Sequence, residues 1–243
     1  MDCTLCIPVY NGMQYLPASL ASLSSAPACI SDVVFLNDGS TDFSLATMSQ
    51  YRDAHSFHTQ VHSWDVNSGK GAVLTRGVMS MDLSTPYIAF TDVEFPYGLA
   101  SIAEACAYLD THPDVGMVIG DRTATASGKR QYHVYRYIAT NIFRLLLPSA
   151  VRNIHDTQCG LKVMRSDLAR TLFSRVRTKR WVFDIELLLS AVHHDIGLYE
   201  MPVSIKPECV RGIGGVSLLR HGAKIVKDIS TIRWYEARGW YKT

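Results

Sequence analysis

The sequence predicts an α/β fold on an open, mostly parallel sheet, and three observations carry that prediction. Over the first 120 residues, short apolar runs alternate with helical patterns, the strand–helix–strand signature of such sheets. The runs Thr4-Leu5-Cys6-Ile7-Pro8-Val9 and Asp32-Val33-Val34-Phe35-Leu36 are continuously apolar, as suits strands covered on both faces. Polar clusters follow the strands, where open α/β sheets bind their ligands.

In chain order, the strands are expected at 3–9, 32–36, 58–63, 86–91 and 115–119, and the helices at about 13–24, 43–53, 70–80 and 98–111. The second half is less regular. Residues 121–132 (DRTATASGKRQY) read as a mobile loop, followed by a helix at about 134–147 and a loop carrying Asp156-Thr157-Gln158-Cys159-Gly160. Next come a strand at 161–164, helices at about 167–173 and 184–194, and a strand at 198–205. A last helix at about 216–235 carries a one-sided stripe of apolar residues at 218, 219, 225, 226, 229 and 232. With 243 residues, 47% hydrophobic and 19% charged, the chain fits a single domain of residues 1–243. Its halves divide at about residue 120.

No secretory signal pattern opens the sequence, and its most apolar helical stretch, Ile138 to Val151, is too short to span a bilayer and is broken by Arg144 and Pro148. The six cysteines are scattered. Cys3 and Cys6 point to opposite faces of a strand and no second pair completes a zinc set, which reads as reduced thiols in a cytosolic protein. Net charge is only +2 but lopsided. Residues 1–121 hold three basic residues against 13 acids, and residues 122–243 hold the other 21 basics against nine acids. A basic half of this kind suits phosphorylated substrates, an anionic membrane or nucleic acid, and no nucleic-acid-binding motif accompanies it.

The polar clusters are Pro8-Val9-Tyr10-Asn11-Gly12, Asn37-Asp38-Gly39-Ser40-Thr41-Asp42 and Thr91-Asp92-Val93-Glu94, and the sheet brings them to one edge. Gly39 permits a positive φ, and Asp42 is placed to cap the next helix. Gly69-Lys70-Gly71 sets a lysine at a helix start, where backbone N–H groups and a cation favour an anion. Asp92 and Glu94 make a hard-oxygen site for Mg²⁺ or Mn²⁺ bridging to phosphates, with both side chains on one face if strand geometry continues.

IPVYNG, LNDGSTD, NSGKGAVLTRGV and FTDVEFPY resemble the nucleotide-sugar half of a family 2, GT-A-type glycosyltransferase. GDR (120–122), Arg136 with Phe143-Arg144, DTQCGLKVMR (156–165) and RWVFDIELL (180–188) narrow the resemblance to the polyprenyl-phosphate (dolichyl-phosphate) glucosyl- and mannosyltransferases. It runs from about residue 3 to 235 and implies a Rossmann-like, three-layer GT-A fold. It also implies that Pro8, Tyr10, Asp38, Asp42, Lys70 and Asp92 bind the donor, and that Asp92 and Glu94 stand where the family's D-x-D holds the metal. Arg122 and Arg136 fall where arginines hold the acceptor phosphate. Asp156, Gln158 and Asp184 join Asp92 at the reaction centre, and Glu186 shares the Asp184 segment. The implied activity is inverting transfer of a hexose from UDP-glucose or GDP-mannose to a polyprenyl phosphate, by a protein peripheral on the cytoplasmic face of a membrane.

Two departures keep other readings open. Gly12 replaces the family's usual acid after Tyr-Asn, and Glu94 lengthens one arm of the metal motif by a methylene. A family 2 enzyme with a sugar or protein hydroxyl acceptor would need a carboxylate base, Asp156 or Asp184. A non-catalytic nucleotide-sugar binder is the third reading.

Overall fold

The backbone twists into one seven-stranded sheet, ordered β3-β2-β1-β4-β6-β5-β7. The strands are β1 (Cys3–Val9), β2 (Ile30–Asp38), β3 (His58–Trp64), β4 (Tyr87–Phe90), β5 (Val115–Asp121), β6 (Lys162–Arg165) and β7 (Gly197–Pro202). The computed structural model describes residues 2–54, 58–124, 143–210 and 218–242. Most of the expected helix at 134–147, including Arg136, lies outside these residues, as does most of the loop expected at 121–132.

Strand polarity decides where the chemistry collects. β1 pairs in parallel with β2 and β4, β2 with β3, and β5 with β7. β6 runs antiparallel to both neighbours, opposing Phe90 and Ile119 with Lys162. The carboxyl ends of six strands therefore share an edge with the amino end of β6. The sequence pattern locates all seven strands but not this reversal.

The helices are α1 (Leu16–Leu23), α2 (Ser44–Ala54), α3 (Lys70–Ser80), α4 (Ala100–Thr111), α5 (Ser166–Ser174), α6 (Phe183–His193), the short α7 (Pro207–Val210) and α8 (Leu218–Ala237). A 3₁₀ turn spans Ser149–Val151. Alternation in the strands sorts side chains into two cores. Cys3, Leu5, Ile7 and Val9 of β1 pack with Val33 and Phe35 of β2 under α1, α2 and α4. Cys6, Val34, Leu36, Ile88 and Phe90 face the other way, under α3, α5, α6 and α8. The three layers thus follow from period-2 burial. They also put Cys3 and Cys6 on opposite faces, as their spacing predicts, and all six cysteines are free thiols.

β2 is longer than its apolar run. Asn37 and Asp38 still belong to the strand, and the turn starts at Gly39 with φ +70°. β4 is shorter, because the chain turns at Asp92. Phe95 N–H donates to Asp92 C=O at 3.0 Å, and Phe95 adopts φ +47°. Strand geometry therefore does not continue through Asp92 and Glu94; a turn brings both acids to the same side.

Candidate active site

At the shared edge a cavity of about 340 Å³ opens between the ends of β1, β2 and β4 and the start of α3. Pro8, Tyr10, Asp38, Lys70, Asp92 and Glu94 all line it. Arg180 and Trp181, just before α6, complete the wall; their segment carries part of the family resemblance, but the motifs assign neither residue a role.

Asp38 is 2% exposed, and its carboxylate is already engaged. Oδ1 accepts hydrogen bonds from Ser68 N (2.8 Å) and Ser68 Oγ (2.9 Å), and Oδ2 from Gly69 N (2.7 Å). The anion expected at the start of α3 is thus this internal carboxylate, which fastens β2 to the loop before α3 and sets the cavity wall. Asp42 lies outside the cavity. It accepts the N–H of Ser44, the first residue of α2, at 2.9 Å and that of Met13 at 3.2 Å. Burial works against its charge, but these bonds outweigh it and hold its carboxyl below the usual range. Asp42 thus braces the loop that carries Tyr10 and Asn11.

Lys70 Nζ bonds to Asp92 Oδ1 at 2.5 Å inside the cavity. Burial opposes the charge on Lys70, yet Asp92, Asp184 and Glu94 together hold its ammonium above the ordinary lysine value. Burial likewise opposes ionisation of Asp92, and Lys70, with Arg122 and Lys162, pulls it below the usual carboxylate range. Glu94 is pushed up, by burial and then by Asp92. Two carboxylates beside one cavity, with Glu94 ionising at a cost that burial and then Asp92 raise, are a donor set that a hard divalent cation would relieve, so these residues fit Mg²⁺ or Mn²⁺. Gly160 closes the far side of Asp92. A Cβ there would press into Asp92 Oδ2 and lie 3.1 Å from Cγ.

Beside the cavity stand two further charge pairs. Arg122 grips Asp156 with two bonds, Nε to Oδ2 at 2.6 Å and a terminal nitrogen to Oδ1 at 2.7 Å. Asp156 is 7% exposed, and the pairing, set against the cost of burial, raises the Arg122 guanidinium above its ordinary value. Lys162 is fully buried and donates to Asp184 Oδ1 at 2.6 Å and Cys159 C=O at 2.7 Å. Burial raises Asp184 above the usual carboxylate range, with Lys162 working against that rise. Gln158 Nε2 is buried without a hydrogen-bond partner among the described residues.

Asp184 lies in the first turn of α6, whose N-cap residue is Val182. Glu186 is fully buried and structural. It accepts from Arg177 N (3.0 Å), Thr178 N and Oγ1 (2.5 Å each) and Tyr241 Oη (2.7 Å), so it holds the turn before Arg180 rather than facing the cavity. Lys162 is the main site residue that the sequence pattern does not pick out. Its signal is a lysine at the start of an apolar run, inside the DTQCGLKVMR segment.

The family described as Glycosyl transferase family 2 matches residues 4–173. Among curated proteins, the dolichyl-phosphate beta-glucosyltransferase of Drosophila melanogaster is 29% identical over 219 residues, covering 84% of this chain and 66% of that protein. The Homo sapiens dolichyl-phosphate beta-glucosyltransferase is 27% identical over 219 residues, covering 82% and 65%. This chain thus spans about two thirds of the length of these relatives. Among solved structures, glucosyl-3-phosphoglycerate synthase from Mycobacterium tuberculosis in complex with UDP superposes with a TM-score of 0.64 at 15% identity, over 94% of this chain and 79% of that one. Mannosyltransferase PcManGT from Pyrobaculum calidifontis, in complex with GDP-Man and Mn²⁺, gives 0.58 at 16% identity, over 83% and 55%. At such identities the likeness is one of fold.

Proposed function

This chain belongs to glycosyl transferase family 2 and has the GT-A fold, and on that premise we propose that it is an inverting transferase moving glucose from UDP-glucose to a polyprenyl phosphate. One observation carries the reading. Each acid able to serve as a base on the acceptor side, Asp156 and Asp184, is tied to a cation, Arg122 or Lys162. A hydroxyl acceptor needs a carboxylate to take its proton. A phosphate acceptor is already ionised and needs positioning and charge compensation, which arginine supplies. The glucosyl relatives favour glucose as the sugar.

The work is divided among the residues. Pro8 and Tyr10 border the nucleoside, with Asp38 holding the wall behind them. Lys70 sits at the Asp92 carboxylate, where it can turn to a diphosphate oxygen. Asp92 and Glu94 are the residues that would hold Mg²⁺ or Mn²⁺, which when bound compensates charge on the leaving nucleoside diphosphate. Arg122, oriented by Asp156, receives the acceptor phosphate, and Arg136, outside the described residues, is proposed to join it. A phosphate oxygen of the acceptor forms the new bond to C1 as the bond from C1 to the diphosphate breaks, with no proton to remove. In-line displacement inverts the anomeric centre. Gln158, whose amide nitrogen has no partner among the described residues, serves as a donor toward substrate oxygen.

α8 supports contact with a membrane surface. Ile225, Ile229 and Ile232 pack into the core, while Val226 and Trp234 are exposed among exposed Lys224, Lys227, Arg233 and Arg238. Leu145 is 69% exposed. A basic helix face with an aromatic and an aliphatic residue suits an anionic bilayer surface. Among Trp234, Tyr235, Trp240 and Tyr241, Trp234 is the exposed ring; Tyr235 is half-buried, Tyr241 is fully buried and Trp240 donates to Arg175 C=O at 3.0 Å. No helix of the described residues is long and apolar enough to cross a membrane.

The test is a donor screen with a short-chain polyprenyl phosphate and Mg²⁺ or Mn²⁺. Glucosyl transfer from UDP-glucose with a β-linked product by NMR is expected. An α-linked product refutes inversion, and transfer to hydroxyl acceptors alone refutes the phosphate reading.

A further inference from the structure

A second group of ligand-type side chains lies outside the donor cavity. We propose that Asp121, His155 and Glu200 bind a divalent first-row transition-metal ion. They come from three separate segments: Asp121 ends β5, Glu200 lies in β7, and His155 is in the loop leading to β6. Each offers one ligand atom, and the three atoms lie within 4.8 Å of one another.

The set is oriented rather than loose. Asp121 is 6% exposed, and its Oδ1 accepts from Thr123 N (2.7 Å) and Thr123 Oγ1 (2.6 Å), which fixes the carboxylate. Glu200 Oε2 accepts from His155 N at 2.6 Å, leaving Oε1 3.1 Å from His155 Nδ1. Metal–oxygen and metal–nitrogen bonds of about 2.0–2.2 Å at angles between square and tetrahedral put two ligands of one ion about 2.9–3.5 Å apart. The His155–Glu200 pair already has that separation. The side chain of His155 is 63% exposed, so its ring has room to swing toward Asp121 while Glu200 keeps its bond from His155 N, and water can complete the coordination. An ion pair between His155 and Glu200 accounts for two of these residues, but not for a buried carboxylate brought to the same place by another strand. One imidazole with two carboxylates suits Zn²⁺, Co²⁺ or Mn²⁺ better than Mg²⁺.

The position gives the ion a consequence. Asp121 adjoins Arg122 and His155 adjoins Asp156, so both partners of the Arg122–Asp156 clamp neighbour a ligand. An ion here ties β5, β7 and the loop before β6 together behind that clamp. The binding itself does not rest on the transferase reading.

The experiment titrates the metal-free full chain with Zn²⁺ by calorimetry and with Co²⁺ by visible absorption, both without nucleotide. The expected result is one equivalent bound in the wild type and in the Asp92→Asn/Glu94→Gln variant. That equivalent should be lost in both His155→Ala and Glu200→Gln, and the Co²⁺ spectrum should show ligand-field bands without thiolate charge transfer. His155 is exposed, so its variant should unfold in EDTA as the wild type does. Unchanged stoichiometry and affinity in His155→Ala overturn the proposal, as do thiolate bands, which would assign the ion to a cysteine.

Discussion

Gly160→Ala probes how tightly Asp92, the acid proposed to hold the metal, is itself held. The new Cβ would lie 3.1 Å from Asp92 Cγ and inside contact distance of Oδ2. Carbon atoms pack best at about 3.5–4.0 Å and Oδ2 would be closer to the new Cβ than Cγ is, so the carboxyl group must retreat by about 1 Å. Lys70, 2.5 Å from Oδ1 on the other side, leaves little room for that retreat without breaking the pair. A misplacement of about 1 Å at a reacting centre costs about 100-fold in rate, so a loss of about 10- to 100-fold in kcat/KM is expected. Overpacking should also destabilise the fold by about 1–3 kcal/mol. The assay is glucosyl transfer at saturating Mn²⁺, with Mn²⁺-dependent UDP binding measured alongside. Gly222→Ala is the control, since a Cβ there meets nothing within 4 Å among the described residues. Wild-type turnover and UDP affinity in Gly160→Ala would refute the claim that this close approach positions Asp92.

Lys162→Ala strands Asp184 in the interior and should cost about 3–5 kcal/mol in denaturant unfolding, while Lys162→Met with Asp184→Leu should recover most of it; equal stability of single and double variants would contradict a buried pair. Glu94 is raised in the folded chain, so the metal-free protein gains stability as pH falls through that raised value and lacks the gain above it. Glu94→Gln should therefore raise the metal-free Tm at neutral pH by about 1–3 °C, a modest shift for a partly exposed group, and abolish stabilisation by Mn²⁺ with UDP. Glu94→Asp should keep substantial activity; full activity in both variants would make Glu94 a bystander. Trp234→Ala with Lys227→Glu and Arg233→Glu should lose co-sedimentation with anionic liposomes at low salt, and wild-type binding should weaken as salt rises; salt-independent binding, or no change in the variant, would contradict the α8 surface.

That Pro8, Tyr10, Asp38, Lys70, Asp92 and Glu94 meet at one cavity was legible because a parallel sheet obeys one rule: the loops leaving its strands all meet at one edge. The rule says nothing about where each group points once there. Asp38 turns both oxygens toward backbone N–H groups of the next loop, a choice set by the turn at Gly39 and not by any local pattern. Lys162 escaped because β6 is reversed, so its first residue rather than its last reaches the edge. Glu186 read as an acid near the acceptor because its segment does, but α6 turns it into the core, where Thr178 and Tyr241 take it up. Contacts made between separate segments of the chain leave no periodicity to read.

The reversed strand also bears on whether the two halves can live apart. β6 comes from the second half, yet it lies between β4 and β5 of the first. A fragment ending at Asp121 would keep β3-β2-β1-β4 as one ribbon, with β5 cut off from it and the inner border of β4 bare. That border, Tyr87-Ile88-Ala89-Phe90, is buried throughout in the intact chain. Exposed, it is a short apolar template for another copy of itself. The halves proposed for donor and for acceptor are therefore not separable in folding: the segment that carries Lys162 also closes the sheet at whose edge Asp92 and Glu94 stand.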